Sequence, residues 1–133
     1  MKSPIHTSHA PIPIGPYSQA IVAGGMLYLS GQVAIDSVSG EMVQSSIEEE
    51  TAQVMRNMSG ILQAAGLTFE NVVKCSVFVK DIDDFSRIND VYAQFFDGMI
   101  PPARELIQAA RLPKDANIEI SAIAVMTPQS KSE

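Results

Sequence analysis

The strongest constraint on this chain's fold is a strict alternation near its C-terminal end. Across Asn117–Met126, the residues Ile118, Ile120, Ala122, Ala124 and Met126 fall on one face of an extended segment. The opposite face carries Asn117, Glu119 and Ser121 and then turns apolar at Ile123 and Val125. Such a strand belongs to a sheet with one side fully covered. Its second side is too apolar for water over part of its width, which calls for another contact there.

The cover is supplied by two helical segments. Ser46 with Glu49 forms a capping box, and Ile47, Val54, Met55, Met58, Ile61, Leu62 and Ala65 follow at helical spacing until Gly66 stops the turn. A second helix is predicted from Asp83 to Asp97, with Phe85, Ile88, Val91, Tyr92, Phe95 and Phe96 as its stripe and Gly98 closing it. Tyr17–Val22 and Met26–Ile35 read as a hairpin around Ala23, Gly24 and Gly25, followed by a loop at Asp36–Gly40. Val72–Lys80 places Val73, Cys75, Val77 and Val79 on one face, and Ala103–Ala110 reads as a further strand. The order is ββαβαββ, an α+β domain with both helices on one face of the sheet. A single domain of 133 residues is expected, with residues 1–16, which hold four prolines, as an irregular arm and Thr127–Glu133 as a frayed tail.

Charged residues make up 18% of the chain and apolar residues 46%, against a usual charged share of about 25%. A domain this small has limited interior, so part of that apolar surface is expected against another subunit. The net charge of −6, without a Lys/Arg cluster, disfavours a nucleic-acid partner, whose phosphates call for a basic face. Cys75, the sole cysteine, excludes an intrachain disulfide and suits a reducing compartment. No targeting or membrane-spanning segment is read, so a cytoplasmic protein is expected, with mitochondria left open.

Few residues suggest chemistry. Arg104 begins a strand after Pro101 and Pro102, where it can grip a carboxylate through two parallel hydrogen bonds or serve as an ordinary edge arginine. Glu119 sits between Ile118 and Ile120, placed either to handle a proton or to form a salt bridge. If the last two strands form a hairpin, Gln108 opposes Glu119 and Arg104 lies about 13 Å away along the strand, too far for a shared site. Ser30 and Gly31 interrupt an apolar strand, where glycine permits a bulge or a close backbone approach. Tyr17 follows Gly15 and Pro16, as packing residues at turns do, and Asn89 reads by default as facing solvent. Cys75 reads as inert core, and His6 with His9 lack a third ligand, so no metal site is expected.

Four segments taken in order resemble the RidA/YjgF family of reactive-intermediate deaminases, also labelled endoribonuclease L-PSP or translation inhibitors. They are Ala10–Ala20; Leu29–Ala34; Phe78–Asp81 with Phe85, Asn89, Tyr92, Phe95 and Phe96; and Pro102–Arg104 with Leu112, Pro113 and Ile118–Ile120. The resemblance implies a chorismate-mutase-like fold and a homotrimer with sites between subunits. It also implies hydrolysis of small 2-imino acids and enamines to 2-keto acids and ammonia, with no metal or cofactor. Carried over by position, Arg104 grips the substrate carboxylate and Glu119 holds or activates the attacking water. Tyr17, Ser30, Gly31, Asn89 and Leu106 line the pocket.

Two features depart from the family pattern. Glu105 and Leu106 stand where serine and a small residue are common, and Asp97–Pro102 is shorter than in many members. Leu106 shares a face with Arg104, and Glu105 adds negative charge near a site for an anion. These departures keep open a non-catalytic metabolite-binding or chaperone-like module. An RNA-cleaving translation inhibitor is a third reading, disfavoured by charge.

Overall fold

The computed structural model describes residues 1–127, so the expected tail lies outside the described residues except for Thr127. Its elements are β1 (Ser3–Ile5), β2 (Ala20–Ala23), β3 (Met26–Gln32), α1 (Ile47–Ala64), β4 (Val72–Val79), α2 (Phe85–Gln94), β5 (Ala103–Gln108) and β6 (Ile118–Val125). The six strands form one sheet in the order β1-β2-β3-β6-β4-β5. This is the expected α+β arrangement with one added strand. Residues 3–5, assigned to an irregular arm, pair antiparallel with β2 through Ser3–Val22 and Ile5–Ala20.

The turn between β2 and β3 is built from Gly24 and Gly25, whose φ values of 58° and 77° suit a tight hairpin. Helix α1 starts at Ser46, whose hydroxyl accepts from the Glu49 N–H at 3.0 Å. Only this half of the expected capping box is among the described hydrogen bonds. The neighbouring Glu48 instead pairs with Arg87 of α2, accepting from Nε at 2.8 Å and Nη2 at 2.7 Å. That bidentate bond holds the Glu48 carboxyl down at about 2.

One core fills the space between sheet and helices. Leu27, Leu29, Cys75, Val77, Val79, Ile118, Ile120, Ala122 and Ala124 meet Val54, Met55, Met58, Ile61 and Leu62 of α1 and Ile88 and Tyr92 of α2. Burial pushes the Cys75 thiol above its ordinary range, as suits a core cysteine. Val73 departs from the expected alternation. Val72 pairs with Ala124 but Lys74 with Ile123, so Val73 bulges out and is exposed while Val72 is buried. Phe85, expected in the helix stripe, is also exposed.

The last two strands do not form a hairpin. β5 runs parallel to β4, and β4 separates it from β6. The chain between β5 and β6 therefore crosses from the sheet edge to its interior, through a turn at Pro113–Asp115. Among the described residues, no helix is long and apolar enough to cross a membrane.

Candidate functional site

Arg104 and Glu119 lie on opposite faces of the sheet. Arg104 pairs with Cys75, whose side chain belongs to the core, and so faces the helices. Glu119 pairs with Phe78 and alternates with the buried Ile118 and Ile120, so it faces outward. Three residue steps and two strands separate them, roughly 14 Å between backbones. One chain therefore carries two polar half-sites that it does not join.

The arginine half is built on regular structure. Arg104 Nη1 donates to the Asn89 Oδ1 on α2 at 2.7 Å, and its guanidinium carbon stands 4.8 Å from the Tyr92 ring centroid. Asn89 is thus half-buried and holds the arginine, where an asparagine facing solvent was expected. No acidic side chain pairs with Arg104 among the described residues. Leu106 lies on the same face two residues on, half-buried against the core. Glu105 points outward, where the Ser76 hydroxyl and the Lys74 ammonium, at 3.0 Å, hold its carboxyl below the usual range.

The glutamate half opens into a cavity of about 420 Å³ lined by Ile14, Tyr17, Gly31, Val33, Ile35, Pro113, Lys114 and Glu119. Burial raises the Glu119 carboxyl above its ordinary range, so it takes up a proton at a higher pH than an exposed glutamate. Gly31 sits in a bulge: Leu29 pairs with Ala122 but Gln32 with Ile120, leaving Ser30 and Gly31 opposite a single residue. A Cβ on Gly31 would stand 2.2 Å from Glu119 Oε2, so only glycine leaves the carboxylate where it is. Ser30 does not line this cavity. Its hydroxyl donates to the Ser18 carbonyl at 2.6 Å and ties the bulge to the arm.

The arm carrying Ile14 and Tyr17 is fixed by a buried amide. Gln19 Nε2 donates to the Thr7, Ala10 and Pro11 carbonyls at 3.0, 3.3 and 2.9 Å, and Gln19 Oε1 accepts from the Thr7 N–H at 2.8 Å. Asn57 of α1 likewise holds the Val33 and Ile35 carbonyls at 3.1 and 2.9 Å. Glu50, fully buried, accepts from the Asn117 N–H and side-chain amide at 2.8 Å each and fixes the start of β6. Sequence reasoning missed Tyr92, Val33, Pro113 and Lys114. Tyr92 was absorbed into a core stripe, and the turn bearing Lys114 has no periodicity to mark it.

Comparison with known proteins places this architecture. The family model described as Endoribonuclease L-PSP matches residues 7–126. A RutC family protein of Pyrococcus horikoshii is 50% identical over 93% of this chain and 98% of its own length. A Bos taurus protein named 2-iminobutanoate/2-iminopropanoate deaminase is 48% identical, over 93% of this chain and 90% of its own. Among solved structures, the Rid-family protein YyfA of Yersinia pestis superposes with a TM-score of 0.92 at 45% identity, covering 94% of this chain and 99% of its own. E. coli TdcF, solved with bound serine, gives 0.89 at 41% identity, over 92% and 98% of the two chains. The family match takes in Arg104, Glu119 and strands β2 to β6, and the chain belongs to the Rid/YjgF family, the endoribonuclease L-PSP group.

Proposed function

We propose that this chain is a cofactor-independent deaminase that hydrolyses small 2-imino acids to 2-keto acids and ammonia, at sites shared between the subunits of a homotrimer. The observation that carries the reading is the separation of Arg104 and Glu119. A cation without an acidic partner among the described residues and a half-buried carboxylate stand on opposite faces, so a neighbouring copy is needed to bring them together. The outward face offers a surface for that copy, with Tyr28 and Ile107 exposed and Phe78, Ile123 and Val125 half-buried. Deaminases among the relatives support the choice of reaction.

The chemistry needs little beyond positioning. In R–C(=NH)–COO⁻ the imine carbon is already electrophilic. Arg104, steadied by Asn89 and Tyr92, grips the carboxylate and fixes that carbon. Glu119 of a neighbouring copy takes a proton from water as the C–O bond forms and the C=N π bond breaks, and passes it to the nitrogen, giving R–C(OH)(NH₂)–COO⁻. It then takes the hydroxyl proton and delivers it to the amine as the C=O forms and the C–N bond breaks, which releases ammonia and leaves the 2-keto acid. A carboxylate raised above its ordinary range by burial holds a proton more readily than an exposed glutamate, as a proton carrier must.

The test generates 2-iminobutanoate in situ with a threonine dehydratase and follows keto-acid appearance. The wild type accelerates it, and Arg104→Ala lowers kcat/KM by about 10²-fold or more. Full activity in Arg104→Ala sinks the clamp. Ligand binding without turnover by the wild type leaves a binding module in place of an enzyme.

A further inference from the structure

We infer that Glu50 is a positioning residue for the proposed hydrolysis: it fixes the turn that walls the Glu119 cavity, and so sets where Glu119 stands. The inference rests on the deaminase reading and adds a residue to it. Glu50 lies in the first turn of α1 and is fully buried, and no cation pairs with it among the described residues. A buried carboxyl costs stability unless its oxygens are bonded. Here Oε2 accepts from the Asn117 N–H at 2.8 Å and from Gln44 Nε2 at 3.3 Å, and Oε1 accepts from Asn117 Nδ2 at 2.8 Å. Gln44 Nε2 also donates to the Asp115 carbonyl at 3.3 Å. These bonds converge on the connection between β5 and β6.

Glu119 depends on that connection more than a residue inside a sheet does. The ladder between β3 and β6 runs only as far as Gln32 and Ile120, so β3 gives Glu119 no partner. Pairing with Phe78 of β4 holds it from one side alone. Pro113 and Lys114 of the connection line the cavity that Glu119 faces. Their turn is strained: Lys114 and Asp115 hold φ values of 60° and 52°, uncommon for residues other than glycine. Such a conformation persists only where its surroundings over-determine it. The Arg111–Asp115 ion pair is exposed and holds weakly in water. The Ala116 N–H donates to the Pro113 carbonyl at 3.1 Å and the Lys80 N–H to the Asn117 carbonyl at 2.9 Å. Glu50 adds the fully buried anchor.

Without that anchor the turn is free to relax toward negative φ, which draws Pro113 and Lys114 off the cavity. Glu119, two residues beyond Asn117, then loses both a fixed place and part of the wall that shields it from water. Arg104 is untouched, because β4, Asn89 and Tyr92 hold it on the other face. The loss should therefore fall on the attack of water and spare the grip on the carboxylate. Tyr17 and Lys114 are the other titratable side chains lining the cavity, and burial is what raises the Glu119 carboxyl. Admitting water should bring that carboxyl back toward its ordinary range.

The experiment compares the wild type, Glu50→Ala and Glu50→Gln on 2-iminobutanoate made in situ by excess threonine dehydratase, reading kcat, KM and the pH profile of kcat/KM. Glu50→Ala should lower kcat by about tenfold or more and leave KM within about threefold. Its acid limb should move to lower pH, since Glu119 must be unprotonated to take a proton from water. Glu50→Gln keeps an oxygen for the Asn117 N–H, and the Asn117 amide can turn to accept from the new N–H, so kcat should stay within about threefold of the wild type. If Glu50→Ala does not refold, Asn117→Ala, which removes only the bond to Oε1, should move the acid limb the same way and lower kcat several-fold. A folded alanine variant that keeps the wild-type kcat and pH profile, and merely unfolds in less urea, overturns the inference and leaves the deaminase reading intact. A loss in Glu50→Gln as deep as in Glu50→Ala does the same. Turnover of no imine by the wild type overturns both.

Discussion

The arginine and glutamate halves of the site are built by different means. Arg104 is held by a strand pairing, a helix side chain and an aromatic ring, all part of the regular sheet and helix layer. Glu119 also stands on a strand, but what faces it comes from the arm, the β3 bulge and the turn before β6. Those irregular pieces are fixed by buried amides and a buried carboxylate: Gln19, Asn57 and Glu50. A packed layer positions the cation, then, while a set of polar side chains positions the wall around the carboxylate. Because the two lie on opposite faces, they can be damaged separately.

The largest effect follows from that separation. Arg104→Ala and Glu119→Ala chains should each be nearly inactive, and co-refolding equal amounts should restore activity. On the proposed intersubunit site, each hybrid site needs an intact arginine from one chain and an intact glutamate from another, so about a quarter of the sites should recover. Imine hydrolysis after mixing checks this. No recovery, in mixtures shown by mass spectrometry to contain hybrids, would place both groups in one chain's site and break the comparison.

Gly31→Ala should act on the glutamate half alone. The new Cβ meets the end of a flexible side chain, so Glu119 moves aside and the backbone stays put. Displacement by about an ångström costs up to about 10²-fold in rate. Denaturant unfolding should change little, whereas kcat on 2-iminobutanoate should drop by tenfold or more. A variant that unfolds early without losing kcat would show that the bulge serves stability instead.

What the sequence disclosed divides along the same line. Both helices, the Gly24–Gly25 hairpin and the bulge at Gly31 were readable because period, capping and glycine punctuation are local. β1 was missed because Pro4 and a three-residue length hide an edge strand. The parallel pairing of β5 with β4 was missed because strand order is set by nonlocal contacts, and the simple hairpin is only the nearest alternative. Arg104, Glu119, Tyr17, Gly31 and Asn89 were marked as candidates mainly through resemblance. Their division between two faces appears only once Cys75 and Phe78 are known as their neighbours. The turn holding Lys114 falls within the Arg111–Ala116 connection of the hairpin reading, but its shape was not legible, because a left-handed lysine follows no residue preference.

Gln19→Ala sharpens the comparison further. It strips donors from three carbonyls and an acceptor from the Thr7 N–H, at about 1–3 kcal/mol for buried groups left unpaired. Urea unfolding should register that loss. In the hybrid experiment the substitution should lower activity when carried by the Arg104→Ala chain, which supplies the glutamate half. Carried by the Glu119→Ala chain, it should leave recovered activity in place. Equal damage from both placements would mean that the arm supports the arginine half as well.

The smallest effect is expected at Glu105, which resemblance alone marks as a threat to an anionic substrate. Glu105 lies on the outward face, away from its own chain's Arg104, and the Lys74 ammonium at 3.0 Å offsets its charge. Exposed pairs of this kind contribute little to stability, because water and salt screen them. Its carboxyl is lowered below the usual range, so whatever it adds to stability is present above the unfolded value and lost as pH falls through the folded one. Glu105→Gln should therefore leave unfolding free energy little changed at neutral pH, as denaturant unfolding would show. It should leave kcat/KM within about twofold, because a charge already offset by lysine repels a substrate weakly. A gain of tenfold or more at low salt, vanishing at high salt, would show that Glu105 reaches a neighbouring copy's site and joins the glutamate half.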